Sequence, residues 1–268
     1  MRSTELRANM EKVLERLGLA LAVAATLALG GAGCEKRAGA QDRGSDAGDG
    51  ANEEEKSDDA ATSTSASGGA GDAPAMEVRT SIDIPWLPNS VRMWGAEIGR
   101  SASAHGLDAE LIAIIVLVES GGHPAAKSRS GALGLMQVTP RTAGEIATQQ
   151  KVRGHSDKEL KRGEYNLDFG SFYLAKMVKT FTVENDLTRT IELAAGAYNG
   201  GPNKLTRFLT KNEKLTDETT RYMEWVGGMW RERHALASPT FARWWRAGGE
   251  RLVRRAEDGL GVQPVRAP

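Results

Sequence analysis

The chain has 268 residues, in which 35 lysines and arginines balance 35 aspartates and glutamates, with four histidines and one cysteine. Zero net charge and the lack of a phosphate-cradling glycine motif leave nothing that suggests nucleic acid, and a lone cysteine excludes an intramolecular disulfide. His105, His123, His155 and His234 show no ligand spacing such as H-E-x-x-H, so no metal and no other cofactor is expected.

At the amino terminus, Arg2, Arg7, Lys12 and Arg16 precede an apolar run from Leu17 to Leu29, followed by Gly30-Gly31-Ala32-Gly33 and Cys34. Residues 1–33 have the outline of a signal peptide, and the run is short of the about 20 apolar residues of a membrane-spanning helix. Glu5, Glu11 and Glu15 dilute the basic region, which makes Met10 an alternative start. Ala32-Gly33-Cys34 is similar to a bacterial lipoprotein processing site, with Gly31 where a leucine is usual. Two outcomes stay open: lipidation of Cys34, or cleavage after Ala38-Gly39-Ala40. An unpaired thiol in an exported chain favours lipidation.

Residues 34–85 are rich in Gly, Ala, Ser, Thr and acids, with Glu53-Glu54-Glu55 and Asp58-Asp59 at the centre. No apolar periodicity appears, so a disordered linker is expected, with a root-mean-square span of about 40 Å. Charge divides unevenly, since residues 41–75 carry nine acids against two bases whereas residues 76–268 have a surplus of five bases. A mildly basic folded part is compatible with an anionic polymer as partner.

The folded region reads as an all-α catalytic domain over 86–228 and a Trp/Arg-rich extension over 229–268. A helix is expected from Asn89 through Arg100, with Val91, Trp94 and Ile98 on one side. Asp108 is a candidate N-cap for a second helix, apolar nearly all round, that ends on Glu119. Apolar neighbours disfavour the charged form of a carboxyl and raise its pKa, as a general acid near neutral pH requires; a solvated helix terminus is the bland alternative. Ser120, Gly121 and Gly122 open a tight loop that folds back over the Glu119 end and starts a new helix near Leu135. Pro140 suits the first turn of a further helix, 151–164 read as loop with a short turn, and amphipathic helices follow over Leu167–Phe181 and Leu187–Tyr198, stopped by Gly200-Gly201-Pro202. Trp225, Trp230, Phe241, Trp244 and Trp245 can cap a core or stack on sugars, and the last ten residues read as unstructured.

Four ordered blocks then carry a resemblance: Glu119-Ser120 with P-x-A-x-S-x-x-G-A-x-G-L-M-Q ending at Gln137; Asn166-Leu167 with Gly170 and Tyr173-Leu174; Ala197-Tyr198-Asn199-Gly200-Gly201-Pro202; and Glu218-Thr219 with Tyr222-Met223. The pattern resembles the catalytic domain of the soluble lytic transglycosylases, the lysozyme-like enzymes that cleave peptidoglycan. The resemblance covers about half the chain, Val91 to Val226, and implies a monomeric lysozyme-like all-α fold acting on glycan strands. It implies that Glu119 protonates the bond between N-acetylmuramic acid and N-acetylglucosamine, that the muramoyl N-acetyl group assists, and that the resulting carboxylate deprotonates the 6-hydroxyl, closing a 1,6-anhydro ring. By the same resemblance Ser128 places the N-acetyl group or 6-hydroxyl, Gln137 hydrogen-bonds substrate, and Met136, Tyr198, Asn199 and Tyr222 line the cleft. Glu35 after Cys34 suggests the outer membrane, hence a periplasmic, lipid-anchored enzyme.

Gly122 stands where the family often has an aromatic and Thr139 where methionine is frequent, so the neighbouring sugar subsites are where this chain departs. Most glycosidases use two carboxylates. The nearest others, Asp168 and Glu145, sit at expected exposed helix positions and match no catalytic position. A hydrolytic muramidase and a non-catalytic peptidoglycan-binding lipoprotein are the alternatives. Ser128 as a turn cap, Met136 as core and Asn199 as a helix C-cap are the structural ones.

Overall fold

Eight consecutive apolar residues, Leu111–Val118, can be buried on all sides only at the centre of a protein, and that is where they lie. The computed structural model describes residues 76–265 and 268; the expected signal peptide, Cys34, the linker up to residue 75 and Arg266 lie outside the described residues. Ten α-helices make up the described part: α1 (Asn89–Arg92), α2 (Gly95–His105), α3 (Ala109–Ser120), α4 (Pro140–Gln149), α5 (Gly163–Thr180), α6 (Leu187–Gly200), α7 (Pro202–Lys211), α8 (Asp217–Arg231), α9 (Pro239–Trp244) and α10 (Glu250–Leu260). No strand occurs among the described residues, so the all-α expectation holds.

The central helix α3 starts at Asp108, whose carboxylate accepts from the Glu110 N–H at 2.7 Å, and stops at Gly121 in the left-handed conformation (φ 64°). Ile112, Ile114, Ile115 and Leu117 have no exposed surface. Each contributes about 1.5–3 kcal/mol by leaving water, which anchors α3 and with it Glu119 near its end. Helices α1, α2, α8 and α10 pack against it, and a smaller apolar cluster of Phe181, Leu193, Leu205 and Met223 joins α5 to α8.

Several expectations change. The first helix is broken, because Trp94 leaves helical geometry (ψ 9°) to donate its indole N–H to the Gly122 carbonyl at 3.0 Å. No helix begins near Leu135; isolated bridges Lys127–Leu133 and Leu133–Val138 build a loop, and the next helix waits for Pro140. Between Gly201 and residue 216 the chain makes a helix, α7, not foreseen from sequence. Residues 76–85, assigned to the linker, include a fully buried Ile84 and an Arg79 carbonyl that accepts from Ala109 N–H.

The C-terminal segment is packed rather than appended. Trp230, Phe241, Trp244 and Trp245 are buried, with Phe241 stacked on Trp86 at 5.2 Å between centroids. Helix α8 runs through residues 228–229, where the domain junction was expected, and α9 passes through a kink at Gly248 (φ 123°) into α10. The last helix extends to Leu260, so the unstructured tail starts later than expected, and the Val265 N–H still donates to the buried Glu257 at 2.7 Å. Among the described residues no helix is long and apolar enough to cross a membrane.

Candidate active site

Glu119 occupies the penultimate position of α3, where the buried apolar run meets the surface. Its Oε1 accepts a 2.7 Å hydrogen bond from the Tyr222 hydroxyl of α8, and the carboxyl makes no other hydrogen bond among the described residues. Burial pushes the Glu119 pKa up to about 7; the Tyr222 hydrogen bond pulls it down, and the negative charge of the exposed Glu218 pushes it up further. Burial and the Glu119 charge hold the Tyr222 and Tyr198 phenols well above the ordinary tyrosine range, so both stay protonated donors. The site thus presents a neutral or singly charged carboxyl that a fixed hydroxyl orients and that can give or take one proton near neutrality.

The loop after the acid is held at both ends. Ser120 Oγ donates to the Leu135 carbonyl at 2.7 Å, tying the helix end to the second half of the loop. Asn166, fully buried on α5, accepts from Met136 N–H at 2.7 Å and donates to the Leu133 and Leu160 carbonyls at 2.8 Å each. Its signal in the sequence was membership of the second motif block, without a role attached. Gln137 takes a positive φ of 47°, and its amide donates to the Gly134 carbonyl at 2.9 Å and the Ala126 carbonyl at 3.3 Å.

A cavity of about 160 Å³ opens beside Glu119, with Ser128 and Gln137 on its loop side. Ser128 also caps its own turn, accepting from Ala132 N–H at 2.9 Å, so the structural reading of this serine is present alongside its place in the cavity. Tyr198 donates to the Met136 carbonyl at 2.8 Å and packs against Tyr173, while Asn199 accepts from the Thr219 hydroxyl at 2.9 Å, joining the end of α6 to α8. Met136 does not line the cleft by its side chain. It has no exposed surface, and its sulfur sits where a Cβ on Gly170 would fall, so the structural alternative holds for it.

Both family departures have local causes. Gly122 has φ 92°, and a Cβ there would stand 2.2 Å from the Ser90 carbonyl oxygen, so the close approach of α1 leaves no room for an aromatic. Thr139 is the N-cap of α4, its hydroxyl accepting from Thr142 N–H at 3.1 Å, a bond methionine could not make. Asp168, its side chain 44% exposed, lies in hydrogen-bond contact with His105 at 2.7 Å, and Glu145 is exposed and paired with Arg141; neither lines the cavity. Unforeseen from sequence are His123, Lys127, Leu252 and Arg255, which complete the cavity wall. A larger cavity of about 700 Å³ includes Phe208, Met223 and Arg243 but neither Glu119 nor Tyr222, and its Arg189 and Arg231 are both spent on Glu192.

A family model described as the transglycosylase SLT domain matches residues 97–220. The chain is 35% identical over 145 residues to the membrane-bound lytic murein transglycosylase E of Buchnera aphidicola, covering 53% of this chain and 65% of that protein. To the endo-type membrane-bound lytic murein transglycosylase A of Klebsiella pneumoniae it is 39% identical over 97 residues, covering 34% and 48%. To the protein of that name in Cronobacter sakazakii it is 30% identical over 141 residues, covering 50% and 70%. The chain belongs to the lytic transglycosylase family, and it spans 65% and 48% of the first two of these relatives.

Proposed function

We propose that this protein is a peptidoglycan lytic transglycosylase that cleaves the bond between N-acetylmuramic acid and N-acetylglucosamine without water, with Glu119 as both acid and base. The observation that carries this reading is the Glu119 carboxyl itself, raised to about 7 by burial, held by Tyr222 and opening on a cavity whose lining includes no second carboxylate. Protonated Glu119 gives its proton to the glycosidic oxygen as the C1–O bond breaks, and the muramoyl 2-acetamido oxygen stabilises the positive C1. The Glu119 carboxylate then takes the proton of the 6-hydroxyl, O6 bonds to C1, and the acid is regenerated with a 1,6-anhydro end on the sugar. Tyr222 fits this double role, since its hydrogen bond strengthens when Glu119 becomes charged.

A hydrolytic muramidase would need a second positioned acid. The test is mass spectrometry of soluble products from purified sacculi: anhydro ends with the wild type and none with Glu119→Gln support the proposal, and reducing ends one water heavier overturn it. Export to the periplasm and anchoring to the outer membrane through a lipidated Cys34 complete the reading; the relatives named above are membrane-bound transglycosylases by name. Cys34→Ala should then move the protein from the membrane to the soluble fraction, and unchanged fractionation would remove the anchor.

A further inference from the structure

Helix α10 stands beside the acid although it lies beyond the residues that the family model matches. Its seat is fixed by backbone contact. A Cβ on Gly121 would lie 2.7 Å from the Leu252 carbonyl carbon, and one on Gly259 would lie 3.6 Å from the His123 ring. Val253 and Ala256 have no exposed surface, which locks the rotation of the helix about its own axis.

That rotation leaves Arg255 exposed in the lining of the Glu119 cavity, to which the loop after the acid contributes Lys127, also exposed. Neither side chain makes a hydrogen bond or ion pair among the described residues. Arg254, one position earlier, is fully engaged: it bonds Glu257 at 3.2 Å and the Val265 carbonyl at 3.0 Å, and lies over the Trp245 ring. Burial and the Arg255 charge lower the pKa of His123 in the same lining, which disfavours a third positive charge there. An unpaired guanidinium on a packed helix, lining one cavity together with a second cation, is suited to a carboxylate, which it can grip with two parallel hydrogen bonds.

Resting on the transglycosylase reading above, we propose that Arg255, with Lys127 in the same cavity lining, binds a carboxylate carried by the muramic acid being cleaved, which makes α10 a specificity-determining wall of the cleft. Two sources supply that group: the lactyl carboxylate of strands stripped of peptide, and the carboxylates of an attached stem peptide.

The test is binding, so that it stands apart from turnover. In the full chain carrying Glu119→Gln, Kd is measured for stripped strands, for the same strands with their carboxylates converted to amides, and for peptide-bearing strands. Adding Arg255→Gln should weaken binding of a carboxylate-bearing strand about tenfold, and the difference should vanish on the amidated strands. Arg255→Lys should restore part of it. A loss confined to stripped strands assigns the lactyl group, and one confined to peptide-bearing strands assigns the peptide. Equal Kd with and without Arg255→Gln on all three substrates, in protein of unchanged thermal stability, overturns the proposal. Failure of the transglycosylase reading would appear separately, as the absence of anhydro ends from the wild type.

Discussion

Glu119→Gln should stabilise the fold at alkaline pH and leave it unchanged in acid. The carboxyl is held near 7 against an ordinary value of 4.5 because burial opposes its charge. Since the folded acid binds its proton more tightly than the unfolded one, the fold has its full stability below about pH 4.5 and loses free energy as pH rises toward 7. A gap of about 2.5 pH units corresponds to about 3 kcal/mol lost above pH 7. Glutamine keeps the shape and an acceptor for Tyr222 but carries no charge, so the variant escapes this loss. For a folded part of this size, each kcal/mol moves Tm by about 2–4 °C, so the variant should melt about 6–12 °C higher than wild type at pH 8 and at the same temperature at pH 4.5. Thermal melts followed by circular dichroism at the two pH values measure this. A difference in Tm that is the same at both, or a variant less stable at pH 8, would refute the claim that Glu119 is buried at a cost.

Tyr222→Phe removes the hydrogen bond that favours the charged acid, so the alkaline limb of kcat/KM should move above that of wild type by roughly one pH unit; an unmoved limb would deny Tyr222 its hold on the acid. Asn166→Ala leaves the Met136 N–H and the Leu133 and Leu160 carbonyls without this partner and should cost about 3 kcal/mol or more in urea denaturation. Gly122→Phe, which puts back the aromatic common in the family, should destabilise by at least about 2 kcal/mol, because the positive φ and the Ser90 carbonyl both oppose a side chain.

The acid was legible because two local signals coincide at Glu119: an unbroken apolar run that can only be buried, and the glycines that end it. Motif spacing then supplied Tyr222, whose contact with Glu119 no periodicity could reveal, since 103 residues separate them. Met136 shows the limit of such reasoning. It sits within a cleft motif, yet the motif works through its backbone, held by Asn166 on one side and Tyr198 on the other, while the side chain fills the core. The break at Trp94 was hidden for a similar reason: apolar spacing continues through it, and the cause is a hydrogen bond to a loop distant in sequence.

The two ends of the described chain meet at the same point. Ser90 of α1 donates its hydroxyl to the Gly121 carbonyl at 2.7 Å and lies where a Gly122 side chain would go, while the Leu252 backbone of α10 lies where a Gly121 side chain would go. The pair of glycines after the acid therefore answers to both flanks at once, one residue each. That packing replaces a family aromatic with backbone on one side and brings Arg255 to the cavity on the other. Segments outside the 97–220 match thus shape the surroundings of an acid that lies within it.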